Sequence, residues 1–150
     1  SPLKRCLETV QHVPASKLFI TKEPKLMEID YGLAEGKNLE FIKKNYPEII
    51  RKWENDQDPR FPKGENTADV LKRVMEVIQN IKLEDQKKLL LCTHDVVVKC
   101  ILGKAVNMPM KEWYKIQIPH LTPLKFILMN DTIFPDLSED QIKTTFSQLM

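Results

Sequence analysis

The feature that most constrains this chain is a short apolar run that ends in a turn and leads at once into a second apolar segment. Leu89 to Cys92 follow two lysines and stop at Thr93, a pattern that predicts a strand buried on both faces. The next segment has Asp95 in its first turn and Gly103 near its end, which predicts a helix. A strand, a turn and a helix in this order indicate an α/β domain.

His94 lies in the turn between these two elements. In open α/β sheets, ligands bind at the carboxyl ends of the strands, and the start of a helix favours an anion. The position therefore predicts an imidazole that faces a phosphate-like group. A histidine at such a boundary is more often an ordinary polar residue, so its position alone leaves both interpretations open.

The composition favours one globular domain of cytoplasmic type. The chain has 150 residues, 42% of them hydrophobic, and a formal net charge of +2 without a dense basic cluster. We therefore expect no nucleic-acid partner, and no run approaches the roughly 20 apolar residues that span a bilayer. The three cysteines are Cys6, Cys92 and Cys100, without CxxC spacing, which predicts reduced thiols and neither a metal site nor a disulfide.

The first residues read as the start of a helix. Ser1 is a candidate N-cap and Pro2 suits the first helical position. A helix that begins at residue 1 leads us to expect that a preceding element is lost, cleaved off or supplied by another chain. Arg5 lies in the first turns, where its guanidinium could reach an anion, although a solvated arginine is the simpler interpretation.

Residues 26–36 form an acidic segment with Gly32 and Gly36, a spacing that predicts a folded-back loop. Its carboxylates, among them Glu28, are candidates for acid or base chemistry if they are partly buried.

The remaining patterns predict elements around this centre. Thr67 is expected to cap an amphipathic helix whose polar face, with Lys72, Arg73 and Glu76, is expected to be solvated. The other predictions are a strand over Lys17–Ile20, helices over Leu39–Tyr46 and Pro47–Trp53, a long loop over Asn55–Asn66, a short helix over Met110–Ile116, a strand over Pro123–Met129 and a last helix opened by the capping box Ser138–Gln141.

Four stretches together resemble the histidine phosphatase superfamily, the group that includes the phosphoglycerate mutases. They are SPLKRCLET at residues 1–9, LMEIDYGLAEG at 26–36, FPKGENTADVLKRV at 61–74 and LLLCTHDVVVKCIL at 89–102. The resemblance implies a three-layer α/β/α sandwich of the phosphoglycerate mutase-like type, as a single domain over residues 1–150 that lacks its first strand.

The resemblance also implies a site and a reaction without a metal or cofactor. Arg5 would bind phosphoryl oxygens, His94 would stabilise the transferring group, and Glu28 would protonate the leaving oxygen of a small phosphorylated substrate. The residue types suit this chemistry, because phosphoryl transfer depends mainly on positioning and charge neutralisation. A phosphatase is favoured over a mutase because the segment between Glu28 and the PKGEN stretch is short.

Two features depart from the family pattern. The family nucleophile is a histidine in an Arg-His-Gly motif on the first strand, which is absent here, and neither His12 nor His120 matches that motif. Asp95 and Asn66 stand where the family usually has glycine and serine. Residues 1–150 alone are therefore expected to be inactive, and a dimer or a complementing amino-terminal segment is a possible partner.

Two alternative functions stay open. The chain could be a catalytically inactive relative in which Arg5, Glu28 and His94 persist as a phosphate-binding or protein-interaction surface. Alternatively, His94 and Asp95 could be the doublet of an HD-type metal phosphohydrolase, although such sites need further histidines on helices.

Overall fold

A computed structural model describes residues 1–14, 19–81, 88–130 and 132–148. The helices are α1 (Lys4–Gln11), α2 (Leu39–Asn45), α3 (Pro47–Glu54), α4 (Thr67–Gln79), α5 (Asp95–Ala105) and α6 (Glu139–Thr145). Within these residues, two strands, β1 (Phe126–Met129) and β2 (Thr132–Pro135), and three short 3-10 helices, Pro24–Leu26, Gly32–Ala34 and Met110–Lys115, complete the elements.

The core is organised around the packing of α4 against α5. Val70 and Val74 on the apolar stripe of α4 are fully buried, as are Val97 and Leu102 of α5. Gly103 lets the indole of Trp113 lie directly on α5, because a Cβ atom there would come within 2.3 Å of the Trp113 ring nitrogen. This packing fixes the start of α5, where His94 is located.

Two helix starts differ from the sequence prediction. Helix α1 begins at Lys4 with Leu3 as its N-cap, so Ser1 does not cap it. Helix α4 is capped by Asn66 and not by Thr67, because the Asn66 side chain accepts the backbone N–H of Asp69 while the Asp69 carboxylate accepts that of Asn66. This reciprocal capping box gives a structural role to one of the two residues that depart from the family pattern.

The sheet within the described residues is one antiparallel pair. Strand β1 pairs with β2, with Phe126 opposite Pro135 and Met129 opposite Thr132. The strand predicted over Pro123–Met129 is thus confirmed in its second half. Of the strand predicted over Lys17–Ile20, residues 17 and 18 lie outside the described residues, and residues 19 and 20 belong to no strand.

The segment before His94 is irregular where a strand was predicted. Residues 88–91 make no backbone hydrogen bond with any described residue, and Leu89 and Leu90 are 53% and 54% exposed. A run that is apolar on both faces becomes a strand only when other strands pair with it, and the described part of the chain supplies none.

The other local predictions agree with the structure. Helices α2, α3 and α6 occupy the predicted ranges, α6 with the expected capping box at Ser138, and a 3-10 helix covers Met110–Lys115. Among the described residues, no helix has both the length and the apolar character needed to cross a membrane.

Candidate active site

His94 is a buried residue at the start of α5, with only 7% of its surface exposed. The Nε–H of Arg5 donates to its Nδ1 atom at 3.1 Å. Its Nε2 atom lies 2.8 Å from Ser1 Oγ and 3.4 Å from Cys6 Sγ. The structure therefore brings Arg5 and His94, two of the three predicted site residues, into direct contact.

The contact with Arg5 decides which nitrogen of His94 carries the proton. A guanidinium only donates, so Nδ1 must accept, and the neutral ring holds its hydrogen on Nε2. Burial, followed by the positive charge of Arg5, lowers the pKa of His94 from 6.5 to about 4. The ring is therefore neutral at physiological pH and presents an N–H donor at Nε2.

Arg5 is positioned by contacts between α1 and the segment before α5. The nitrogen of Ser1 donates to the carbonyl of Cys92 at 2.9 Å, and the Cys6 thiol donates to that of Thr93 at 3.6 Å. Arg5 itself is exposed, and within the described part of the chain only its Nε donates to another residue. Its terminal nitrogens are therefore available to an anion beside the imidazole.

Glu28 is half-buried on the loop that follows the Pro24–Leu26 turn. Burial raises the pKa of its carboxyl group, and the negative charge of Asp95 adds to the increase. The N–H groups of Ile29 and Val96 and the charge of Arg5 act in the opposite direction. The charge of Arg5 thus influences both Glu28 and His94, which places the three predicted residues in one electrostatic environment.

Arg73 holds the Glu28 loop in place, which corrects the prediction that this arginine is solvated. Its guanidinium donates to both carboxylate oxygens of Glu65, at 2.8 and 2.9 Å. It also donates to the carbonyl groups of Lys25, Met27 and Glu28, at 2.5, 2.8 and 3.2 Å. The side chain is only 17% exposed, because the loop folds over the polar face of α4.

The carboxylate of Glu65 continues the same network. It accepts the N–H of Asp30 at 3.0 Å, and the Asp30 carbonyl accepts the N–H of Glu65 at 2.8 Å. Burial would raise the pKa of Glu65, but the hydrogen bonds from Arg73 and from the Asp30 backbone outweigh it and lower that pKa. In a further hydrogen bond, the Thr93 hydroxyl donates to the Leu26 carbonyl at 2.8 Å. The loop is thereby tied to both α4 and the segment before His94.

The other candidate residues have structural partners or lie at the surface. Asp95 is exposed and pairs with Lys99 at 2.9 Å on the same helix, which offsets its negative charge. His12 and His120 are both exposed. In the described ranges, no group of three or more histidine, cysteine or acidic side chains is arranged to hold a metal ion.

Comparison with known proteins identifies the family of this chain. The model of the histidine phosphatase superfamily (branch 1) matches residues 1–132. The chain belongs to the histidine phosphatase superfamily. It is 36% identical over 126 residues to a fructose-2,6-bisphosphatase of Saccharomyces cerevisiae, an alignment that covers 83% of this chain and 27% of the relative. It is 31% identical over 152 residues to a 6-phosphofructo-2-kinase/fructose-2,6-bisphosphatase of Caenorhabditis elegans, covering 97% of this chain and 32% of the relative.

The fold of this histidine phosphatase chain is also found among solved structures. Bacillus stearothermophilus YhfR superposes with a TM-score of 0.72 and 24% identity, covering 92% of this chain and 72% of that one. The likeness shows that the α/β fold class predicted from the sequence is right. The chain spans about a third or less of the length of the two curated relatives described above.

Sequence reasoning missed Arg73 and Glu65 as parts of this site. A signal was available, because Glu65 lies in the PKGEN stretch and Arg73 follows two helical turns later. Helical periodicity placed Arg73 on the polar face of α4, and the polar face of a helix is usually solvated. Only the loop that packs over this face makes the arginine internal.

Proposed function

We propose that the chain forms the phosphate-binding and proton-donating part of a histidine phosphatase that hydrolyses phosphate monoesters without a metal. The observation that carries the proposal is the contact of Arg5 with Nδ1 of a buried, neutral His94, at 3.1 Å. This contact sets the terminal nitrogens of Arg5 beside the imidazole at the start of a helix, and the Nε2–H of His94, which lies 2.8 Å from Ser1 Oγ, would exchange that partner for a bound anion. Such donors match the oxygens of a transferring phosphoryl group.

Glu28 would supply the proton that the leaving oxygen needs. An alkoxide is a poor leaving group at neutral pH, so its departure requires a general acid. Burial and the charge of Asp95 raise the pKa of Glu28, which favours the protonated form that can donate. Arg73 would act as a positioning residue, because it holds the carbonyl group of Glu28 at 3.2 Å.

The nucleophile would be a histidine outside residues 1–150. The phosphoryl group would pass from the substrate oxygen to that imidazole nitrogen while Glu28 protonates the departing alcohol. Water would then attack phosphorus, breaking the phosphorus–nitrogen bond and releasing phosphate. His12 and His120 are exposed, and His94 is held through both ring nitrogens, so none of the three suits the role of nucleophile.

The experiment is a rapid-quench reaction of the full-length natural protein with a ³²P-labelled phosphate monoester. We expect an acid-labile, base-stable phosphoenzyme whose labelled peptide maps outside residues 1–150. The variant His94→Asn should form it much more slowly, whereas the control His120→Asn should form it normally. Label on His94, His12 or His120 would refute the assignment of the nucleophile.

A binding module is the alternative that the same experiment decides. The contact between Arg5 and the buried His94 also suits a relative that binds phosphate without turnover. Absence of both phosphoenzyme and product, together with phosphate binding that Arg5→Ala abolishes, would establish this alternative.

A further inference from the structure

A cavity of about 280 Å³ opens beside the Glu28 loop. Ile29, the residue after Glu28, lines it, as does Val96, whose backbone N–H acts on the Glu28 carboxylate. Arg5 acts on the same carboxylate from the phosphate site. None of Arg5, Glu28 and His94 lines the cavity itself, but two of its lining residues lie next to Glu28. The departing part of a substrate must also lie next to Glu28 if this residue protonates the leaving oxygen.

Four of the eleven residues that line this cavity are aromatic, namely Tyr31, Trp53, Phe61 and Tyr114. Phe61 packs edge-on against Tyr31, with ring centroids 4.9 Å apart, and against Trp53, with centroids 5.7 Å apart. Trp53 and Tyr114 remain 41% and 70% exposed. Large aromatic surfaces that are left partly open beside a reactive group suit a flat apolar ligand, which would remove them from water.

The charges in the cavity do not suit an anion. Among the described residues that line it there is no lysine or arginine, and the one charged side chain is Asp58. The Asp58 carboxylate is already occupied, because it accepts the N–H groups of Thr67 and Ala68 at 3.0 and 2.9 Å. A second phosphate would therefore meet a negative charge and no cation among the described lining residues, and Arg60, which lies between the lining residues Pro59 and Phe61, pairs with Asp69.

Two lysines on the same short helix as Tyr114 do not change this conclusion. Lys111 pairs with Asp56 at 2.8 Å, and burial is slight for both partners. The ammonium group of Lys115 lies over the Tyr114 ring, 5.9 Å from its centroid. Both charges thus have partners at the surface.

We propose that this aromatic cavity binds the leaving group of the substrate, and that the substrates are phosphate monoesters of aromatic or flat apolar alcohols rather than sugar bisphosphates. The inference rests on the proposed function, because it assigns the cavity through the role of Glu28. It sets this chain apart from the relatives described as fructose-2,6-bisphosphatases, since the described residues that line the cavity include no lysine or arginine for a second phosphate.

The test measures binding of non-hydrolysable phosphonates to the full-length natural protein by titration calorimetry. Benzylphosphonate should bind about tenfold to a hundredfold more tightly than methylphosphonate, because burying a phenyl group is worth about 1.5–3 kcal/mol. Fructose 2,6-bisphosphate should bind no more tightly than methylphosphonate. Trp53→Ala should remove most of the advantage of the benzyl group and leave methylphosphonate binding unchanged.

Phe134→Ala is the matched control, because Phe134 is 43% exposed, like Trp53, and lies outside the cavity. Equal affinities for the two phosphonates would overturn the inference while leaving the proposed function intact. Tighter binding of the sugar bisphosphate than of benzylphosphonate would overturn it as well. Failure of both phosphonates to bind would refute the proposed phosphate site and the inference together.

Discussion

At the residue scale, the site depends on the protonation states of Glu28 and His94. The fold shifts the pKa of each in the direction that its proposed role requires. Burial raises the pKa of Glu28 and lowers that of His94 to about 4. The same charge, on Arg5, lowers both pKa values, but for Glu28 it is outweighed by burial. The result is a carboxyl group that holds a proton more readily and an imidazole that stays neutral.

The proton-donor role of Glu28 predicts a dependence on the leaving group. In the full-length natural protein, Glu28→Gln should lower kcat/KM for an alkyl phosphate by about 10²–10⁴-fold, since an amide cannot transfer a proton. The loss for 4-nitrophenyl phosphate should be much smaller, because that phenolate leaves without protonation. Steady-state kinetics with both substrates provide the measurement, and equal losses would argue against a proton donor.

The lowered pKa of His94 predicts that stability falls in acid. The folded state binds a proton only near pH 4, whereas the unfolded chain binds one near pH 6.5. Stability from this group is therefore present above pH 6.5 and is lost as the pH falls toward 4, by about 2–3 kcal/mol. Urea unfolding at pH 7.5 and 4.5 measures the loss.

The variant His94→Gln isolates this contribution. Between pH 7.5 and 4.5, the free energy of unfolding of this variant should fall by about 2–3 kcal/mol less than that of the natural chain. His120→Gln should show the same fall as the natural chain. An identical pH dependence for all three proteins would show that His94 titrates normally.

At the element scale, the geometry of the site comes from loops fastened to helices. The loop of Glu28 and the segment around Gly64 lie so close that a Cβ on Gly64 would come within 2.3 Å of the Asp30 carbonyl oxygen. The N–H of Leu33 also donates to the carbonyl of Pro62 at 2.9 Å. Arg73 and Glu65 then join both loops to α4.

Removal of Arg73 should loosen this assembly. Arg73→Ala leaves the Glu65 carboxylate half-buried without its cation and leaves three loop carbonyls without a donor, so we expect a loss of about 3 kcal/mol in the free energy of unfolding. Lys72→Ala, an exposed neighbour on α4, should change stability by less than about 0.5 kcal/mol. Denaturant unfolding measures the free energy of unfolding of both variants. A similarly small loss in both would mean that the hydrogen bonds of Arg73 contribute little to stability.

Substitution of two glycines in the loop distinguishes the cost of a steric clash from the cost of backbone strain. Gly32 and Gly36 both have positive φ, of 54° and 67°, but a Cβ would come within 2.2 Å of the Pro62 oxygen at Gly32 and would meet nothing within 4 Å at Gly36. Gly36→Ala should therefore cost only the strain of about 1–2 kcal/mol, and Gly32→Ala clearly more. Thermal unfolding of the two variants tests this, and equal melting temperatures would contradict the close approach.

At the scale of the whole molecule, the site lies beside backbone that has no sheet partner among the described residues. Residues 88–91 make no backbone hydrogen bond within the described ranges, although they lead directly to His94. Exposed Leu89 and Leu90 add apolar surface at the same place. A segment whose backbone groups have no partner within the described ranges can accept another strand.

Amide hydrogen exchange can test whether a strand pairs there. If the nucleophile lies outside residues 1–150 on a strand that pairs with this segment, the amides of Leu89 to Leu91 should exchange quickly in the 150-residue chain. They should be protected by at least about a hundredfold in the full-length natural protein. Similar protection of the α4 amides in both proteins provides the control, and fast exchange at residues 89–91 in both would contradict the proposed pairing.

The sequence by itself determined the local structure and part of the site. These signals depend on residues that are close together in the chain, so they can be read directly from the sequence. They are the amphipathic periodicity, the Ser138 capping box and the position of His94 after an apolar run. Only the tertiary structure decided that Arg5 meets His94 across 89 positions and that Arg73 is internal. It also decided that aromatic side chains from separate segments line one cavity. Side chains far apart in sequence meet only through packing, which local propensities do not specify.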